Sequence, residues 1–409
     1  MPKASIDKVN FCGKRVLLRV DYNVPLKHGQ VANDARITAT LPTLQRIISQ
    51  APACIIIASH LGRPNGTRIV PELSLRPIAE RLSLLLHRTV LFVDDCVGQQ
   101  VETTCLKAKK GQIMLLENLR FHPEEEATPT ECNFEAIAEF RASLSRLAEV
   151  AINDAFGTLH RAHSSIVGLS IPVYAGLLVQ KELAFFTRIM QPDFKLDLVI
   201  LGGAKVSDKI ALIESLLGKT CKMVIAGGMA FTFLHQLRGI PIGDSLFDER
   251  GIHTVNRIVA KANALGVELI LPHDFLAADS FTASANVMHV RAEVGDAGIP
   301  KGWMGLDCGA ESTAQICKAI AESKSVLWNG PVGVFEFPRF ATGTKAILDA
   351  LREATRKGCM TVVGGGDSCA AVAKWNAESE LSHVSTGGGA SLELLEGHTL
   401  PGIEALEDE

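Results

Sequence analysis

The chain has 409 residues, enough for two or three domains that each bury a core of their own. A hydrophobic share of 47% against 21% charged residues is that of a globular protein, and no apolar run reaches membrane-spanning length. The net charge of -4 leaves no basic excess for a phosphate backbone, so neither nucleic acid nor membrane is an expected partner.

The opening MPKASIDKVNF lacks an apolar h-region, and the ten cysteines are scattered without a CxxC pair. That spacing supports neither a zinc site nor a disulfide framework, and the expected location is the reducing cytoplasm. Short β-branched runs then recur along the chain. In the first half they are RVLLRV (15–20), CIIIAS (54–59), VLFV (90–93), IMLL (113–116) and VAIN (150–153). In the second half they are LVIL (198–201), MVIA (223–226), ELILP (268–272), SVLW (325–328) and TVVG (361–364). Turn residues and helical periods separate them. One helix is predicted with Ser74 as its cap, Pro77 in its first turn and a stripe of Leu75, Ile78, Leu82 and Leu85. Continuous apolar strands alternating with helices predict an α/β fold of two doubly wound, Rossmann-like parallel-sheet domains. A long helix over 171–190 is expected to join them as a hinge.

Ligands of open parallel sheets sit beyond the carboxyl ends of the strands, and the two halves carry different residues there. The first half offers Asp21 and Asn23 in RVDYNVP, then Arg36, then His60 and Arg63 in SHLGRP. Arg120 in ENLRF and Arg161 with His163 in HRAHSS follow. Each arginine alone reads as a surface charge, and Asp21 with Asn23 reads equally as an Asx-capped turn. Converging on one sheet edge, they suit a small doubly anionic molecule held by guanidinium forks.

The second half offers glycine. LGGAKVSDK (201–209) places Lys205 and Lys209 four apart, on one face of a helix expected to run through Val206, Ile210, Ile213 and Leu217. The stretch reads as a polyphosphate cradle or as two solvated lysines. TGGGAS (386–391) leads into a short helix, and VVGGGDS (362–368) sets Asp367 where a carboxylate can hold Mg2+ against phosphates or merely cap a helix. Together they point to a Mg-nucleotide. Neither GxxxxGK[ST] nor GxGxxG is present, which removes the motif a nicotinamide-dependent dehydrogenase would need. A non-catalytic, anion-binding two-domain protein is the other alternative.

RVDYNVP, SHLGRP, LLENLRFHPEEE, NDAFGTLHRAHSS, LGGAKVSDK, GGMAFTFL, WNGPVGVFE, VVGGGDS and STGGGASLELLEG, in this order, resemble the sequence blocks of the phosphoglycerate kinase family. The resemblance implies a glycolytic enzyme, a monomer, that moves a phosphoryl group reversibly between 1,3-bisphosphoglycerate and ADP, giving 3-phosphoglycerate and ATP with Mg2+. It further implies direct in-line transfer with closure of an interdomain cleft. Residues 1–172 would bind 3-phosphoglycerate, 173–392 the nucleotide, and 393–409 would return to the first domain. The substrate site carried over is Asp21, Asn23, Arg36, His60, Arg63, Arg120 and Arg161, to which we add His163. The nucleotide site is Gly203, Lys205, Lys209, Gly228, Leu306, Asn329, Pro331, Glu336, Gly366, Asp367 and Ser368, with Asp367 on the metal. Arg36, Lys205, Gly388 and Gly389 are expected to stabilise the transferring group. Tyr22, Ala226, Ser368 and Ala310 depart from the usual family residues without removing a charged group.

Overall fold

The computed structural model describes residues 3–65, 67, 69–126 and 133–409. The chain forms two compact units, one of residues 1–184 with 399–409 and the other of residues 185–398.

Unit 1 is built on six parallel strands in the order Val90–Val93, Gln112–Leu116, Cys54–Ala58, Arg15–Arg19, Val150–Asn153, Val173–Ala175. All five residues of Cys54–Ala58 are buried, so both faces of the sheet are covered. This is why the strands are continuously apolar rather than alternating. One face packs Val16, Leu18, Ile55, Ile57, Ile113, Leu115 and Ile152 against Leu44 and Ile47 of one helix and Ile78 and Leu82 of another. That second helix, Arg76–Leu86, begins later than expected. Leu75 occupies the cap position, because the Ser74 hydroxyl donates to Glu117 (2.7 Å) and Glu117 also accepts from the Leu75 N–H (2.9 Å).

Unit 2 repeats the architecture with strands Glu268–Ile270, Thr220–Ile225, Leu196–Leu201, Ser325–Asn329, Met360–Gly364 and His383–Val384, again all parallel. In order of appearance this is 3-2-1-4-5-6, the order of doubly wound nucleotide-binding sheets. Trp328 lies wholly buried in its core with Ile200, Val326, Ile347 and Leu348. Between the third and fourth strands sits a separate antiparallel sheet of Asp274–Ala278, Val287–Arg291 and Met304–Cys308 that the sequence reading does not contain. The predicted helix over 171–190 is also two elements: the strand Val173–Ala175, then the helix Leu177–Met190, within which the two units divide.

The last residues complete unit 1. Ala4 N–H donates to Glu407 O (2.8 Å), Glu407 N–H to Val173 O (2.9 Å) and Gly402 N–H to Leu159 O (2.8 Å). Leu400 and Leu406 are buried there.

Candidate functional site

In unit 1 the strand order reverses at Arg15–Arg19, flanked by Cys54–Ala58 and Val150–Asn153, and a crevice at such a reversal is the expected ligand position. The strand stops at Arg19. Asp21 and Asn23 lie in the loop beyond it, where the Asn23 N–H donates to Asp21 Oδ1 (3.2 Å) as in an Asx turn. The amide of Asn23 then reaches across the loop, its Oδ1 accepting from the Gly62 N–H (3.0 Å). Asp21 takes a 2.8 Å ion pair from Arg36 and faces His60 Nε2 at 4.0 Å. Arg120 donates to Gly62 O (2.8 Å), which ties the Glu117–Phe121 segment to the SHLGRP turn.

Beneath these lies a buried network. Arg19, 2% exposed, donates through Nε to Ser165 Oγ (2.8 Å) and stands 3.8 Å from the fully buried Glu125. Glu125 accepts from the Ser165 hydroxyl (2.6 Å) and N–H (2.9 Å) and lies 3.8 Å from His163 Nδ1. Desolvation pushes the Glu125 carboxyl up, against the pull of Arg19 and Ser165. His60 is held well below its ordinary value by burial and then by Arg19, Arg120, His163 and Arg36. His163 falls to about 3 through burial, then Arg19, Arg120 and Arg161. Arg120 is lowered chiefly by desolvation, with Arg63 contributing repulsion against the pull of Glu126 and Glu125. The fields of all these predicted residues therefore overlap, with Arg63 and Arg161 exposed at the surface of the cluster. Such crowded cations are held in place against their own repulsion, the condition for gripping a multivalent anion.

In unit 2 a pocket of about 810 Å3 opens where the strand order reverses between Leu196–Leu201 and Ser325–Asn329. Its lining includes Gly203, Gly228, Leu306, Pro331, Glu336 and Asp367 from the predicted set. The volume suits a nucleotide-sized ligand. Gly202 is needed where it is: a Cβ there would lie 2.0 Å from Pro331 O. The helices Gly228–Arg238 and Gly366–Lys374 both start at the pocket, and neither has a side-chain cap among the described residues. In the first, Met229 N–H donates to Gly203 O (3.1 Å) and Ala230 N–H to Gly227 O (3.2 Å), so the start of the Gly366 helix is the better placed to meet an anion. Asn329 Nδ2 is buried beside Gly365 with no hydrogen-bond partner among the described residues, a donor that an incoming oxygen would satisfy.

The lysines differ from expectation. The helix begins at Ile210, not at Lys205, so Lys205 lies exposed in the preceding loop and Lys209 occupies the cap position. The Ser207 N–H is taken by Asp248 Oδ2 (2.7 Å), which holds that segment out of the helix. Lys209 Nζ turns inward, donating to Gly202 O (2.7 Å), Asn329 O (3.1 Å) and Asn329 Oδ1. Desolvation lowers it to about 8, opposed by Asp367 and Asp208. Ser368 Oγ accepts from the Gly330 N–H (2.5 Å) and so braces the loop beneath Pro331. Gly366 opens its helix and Asp367 stands exposed in the first turn. Gly388, at φ 49°, caps the helix Gly389–Leu395 after the edge strand, away from the pocket lining.

Sequence reasoning leaves out the pocket wall of Phe231, Phe275, Phe281, Met304 and Phe337, and the Arg19–Glu125–Ser165 network. The wall comes largely from the inserted antiparallel sheet, whose strands carry no strong periodicity.

A doubly wound nucleotide-type pocket in one unit and a cation-rich anion site in the other define a small-molecule kinase. A phosphoglycerate kinase profile matches residues 6–398. The chain belongs to the phosphoglycerate kinase family. It is 51% identical over 410 residues to a phosphoglycerate kinase of Schizosaccharomyces pombe, covering 99% of this chain and 98% of that one. It is 48% identical over 414 residues to phosphoglycerate kinase 1 of Homo sapiens, covering 99% of both. Among solved structures, phosphoglycerate kinase from Coxiella burnetii superposes with a TM-score of 0.83 at 34% identity, covering 99% of this chain and 98% of that one. The enzyme from Pyrococcus horikoshii does so with 0.80 at 27% identity, covering 98% of each.

Proposed function

We propose that the chain transfers a phosphoryl group between 1,3-bisphosphoglycerate and ADP, reversibly, with unit 1 binding 3-phosphoglycerate and unit 2 the Mg-nucleotide. The observation that carries this reading is the unit 2 pocket at the sheet's reversal point, rimmed by the helix starts at Gly228 and Gly366 and by Asp367. The glycine fingerprint of dehydrogenases is absent from the same place, which leaves the dehydrogenase alternative without support.

In the ATP-consuming direction the nucleophile is the carboxylate of 3-phosphoglycerate, ionised at neutral pH, so no general base is required. The depressed histidines fit: His60 and His163 are neutral at pH 7 and serve as hydrogen-bonding, orienting groups. Arg63, Arg120 and Arg161 hold the substrate phosphate end, with Asp21 and Asn23 placed for hydroxyl contacts. Arg36, Lys205 and the Gly388 and Gly389 amides act on the charge of the transferring group, for which positioning and electrostatics supply nearly all the catalysis. Lys209 holds the Gly202–Asn329 floor and the nucleotide phosphates more distant from the transferring group. Gly203, Gly228, Leu306 and Pro331 take the base, Glu336 the ribose, and Asn329, Gly366 and Ser368 the phosphate side. Asp367, exposed at the rim beside uncapped N–H groups, is the residue that fits a nucleotide-borne Mg2+. When bound, that ion offsets the phosphate charge.

Among the described residues no helix is long and apolar enough to cross a membrane, and the nine described cysteines form no disulfide. We place the protein in the cytoplasm as a monomer, which light scattering tests. The activity itself is tested by supplying 3-phosphoglycerate and Mg-ATP and following product through a coupled dehydrogenase. A chain that consumes no ATP unless 3-phosphoglycerate is present supports the assignment, and one indifferent to it overturns the assignment.

A further inference from the structure

Two adjacent strands of unit 1, Val90–Val93 and Gln112–Leu116, pair with Val93 opposite Leu116. The loops that leave them bring together three side chains with no part in the phosphate sites. Asp95 Oδ1 lies 2.6 Å from His122 Nε2, and the ligating atoms of Asp95, Cys96 and His122 all fall within 4.8 Å of one another. We propose that these three residues bind one thiophilic divalent cation of the Zn2+ class, with water completing the shell.

The donor set is the argument. A thiol, an imidazole and a carboxylate make a borderline-soft set that favours Zn2+ over Mg2+ or Ca2+, which take oxygen. Tetrahedral Zn2+ with bonds of about 2.0–2.3 Å separates its ligand atoms by roughly 3.5 Å. The Asp95–His122 pair must open, and wider pairs close, by about 1 Å, within rotamer adjustment. The thiol of Cys96 is fully buried and donates to no carbonyl among the described residues. The thiols of Cys54, Cys308 and Cys317 each donate to a backbone carbonyl. Asp95 is anchored by the Cys96 N–H (2.7 Å), yet its side chain is 53% exposed, which supplies the path of entry. His122 is 7% exposed and packed near Phe140, so its ring is already held. The ligands come from positions 95, 96 and 122, a spacing no linear zinc motif contains, which is why the sequence reading excluded such a site.

Titration of the full chain with Co2+ tests the proposal. A thiolate-to-cobalt charge-transfer band should rise and saturate at one equivalent, Zn2+ should displace it, and excess Mg2+ should not. Cys96→Ser should abolish the band, while Asp95→Asn, an exposed and conservative change, and His122→Gln should each weaken binding roughly tenfold or more. A chain in which the exposed Cys12 and Cys221 are changed to serine should keep the band. Zn2+ at about a hundred times its Kd should raise the melting temperature by roughly 5 °C in the native chain and not in Asp95→Asn. No band in the native chain, a band that survives Cys96→Ser, or one lost with Cys12 and Cys221 would overturn the site.

Discussion

Burial acts on the partners of Glu125 in ways that solution titration can read. His163 is neutral when folded, at about 3, and titrates near 6.5 when unfolded. Between those values the unfolded chain binds a proton that the folded chain does not, so stability is complete above pH 6.5 and declines as pH falls through the window. We expect His163→Gln to flatten the fall in denaturation free energy between pH 6 and pH 4, by up to about 1.4 kcal/mol per pH unit. An unchanged slope would mean His163 is not held neutral. Arg36 makes a kinetic prediction instead. Its guanidinium is half-exposed and, among the described residues, paired only with Asp21, so Arg36→Ala should leave the fold and the nucleotide Kd nearly intact while kcat drops about 10³-fold. Calorimetry and steady-state rates on one preparation separate the two effects. Asp367→Ala should do the reverse, weakening Mg-nucleotide binding first. The arginines and histidines were legible because charged residues directly after apolar runs have few other reasons to recur. Glu125 was not. Inside PEEE it looks like one more surface acid, and its partners Arg19 and Ser165, both far off along the chain, are what mark it as a buried one.

At the level of elements, the sequence pattern was most reliable where burial is two-sided. Cys54–Ala58 and Val150–Asn153 are wholly buried and stand within a residue of their predicted spans. Val173–Ala175 and His383–Val384 escaped because three and two residues show no period. The helix starting at Ile210 is one turn shorter than its apolar spacing predicts, for a related reason. Val206 continues the apolar spacing and is fully buried, but from a loop whose backbone is engaged by Asp248. Lys209 thus braces the pocket floor rather than standing in a lysine row, and the glycine next to that floor becomes the sensitive point. Gly202→Ala would drive a methyl group into the Pro331 carbonyl. We expect a loss of about 3 kcal/mol from unit 2, measured by chemical denaturation, together with weaker nucleotide binding. A variant of native stability would show that the two strand ends separate freely.

Across the whole molecule, two sheets of the same size serve different ends, one finished by charged side chains and the other by glycine turns. The segment Thr399–Glu409 belongs to unit 1 although all of unit 2 precedes it in the chain. Its removal would strip Leu400 and Leu406 from unit 1 and leave Ala4 and Val173 without their Glu407 partners. We expect unit 1 to lose at least about 3 kcal/mol. Trp303, Trp328 and Trp375 all lie in unit 2. Tryptophan fluorescence should therefore hold its midpoint while the far-UV circular dichroism transition moves to lower denaturant. Coincident shifts of both signals would contradict that.

The late arrival of those eleven residues also sets an order of events on the ribosome. The first sheet can pair its strands early, yet the fringe beside Val173 waits, open to solvent and to other chains, for some two hundred further residues to be made. Maturation of unit 1 is in this way postponed until unit 2 has been made, and a ribosome stalled within unit 2 would leave unit 1 unfinished.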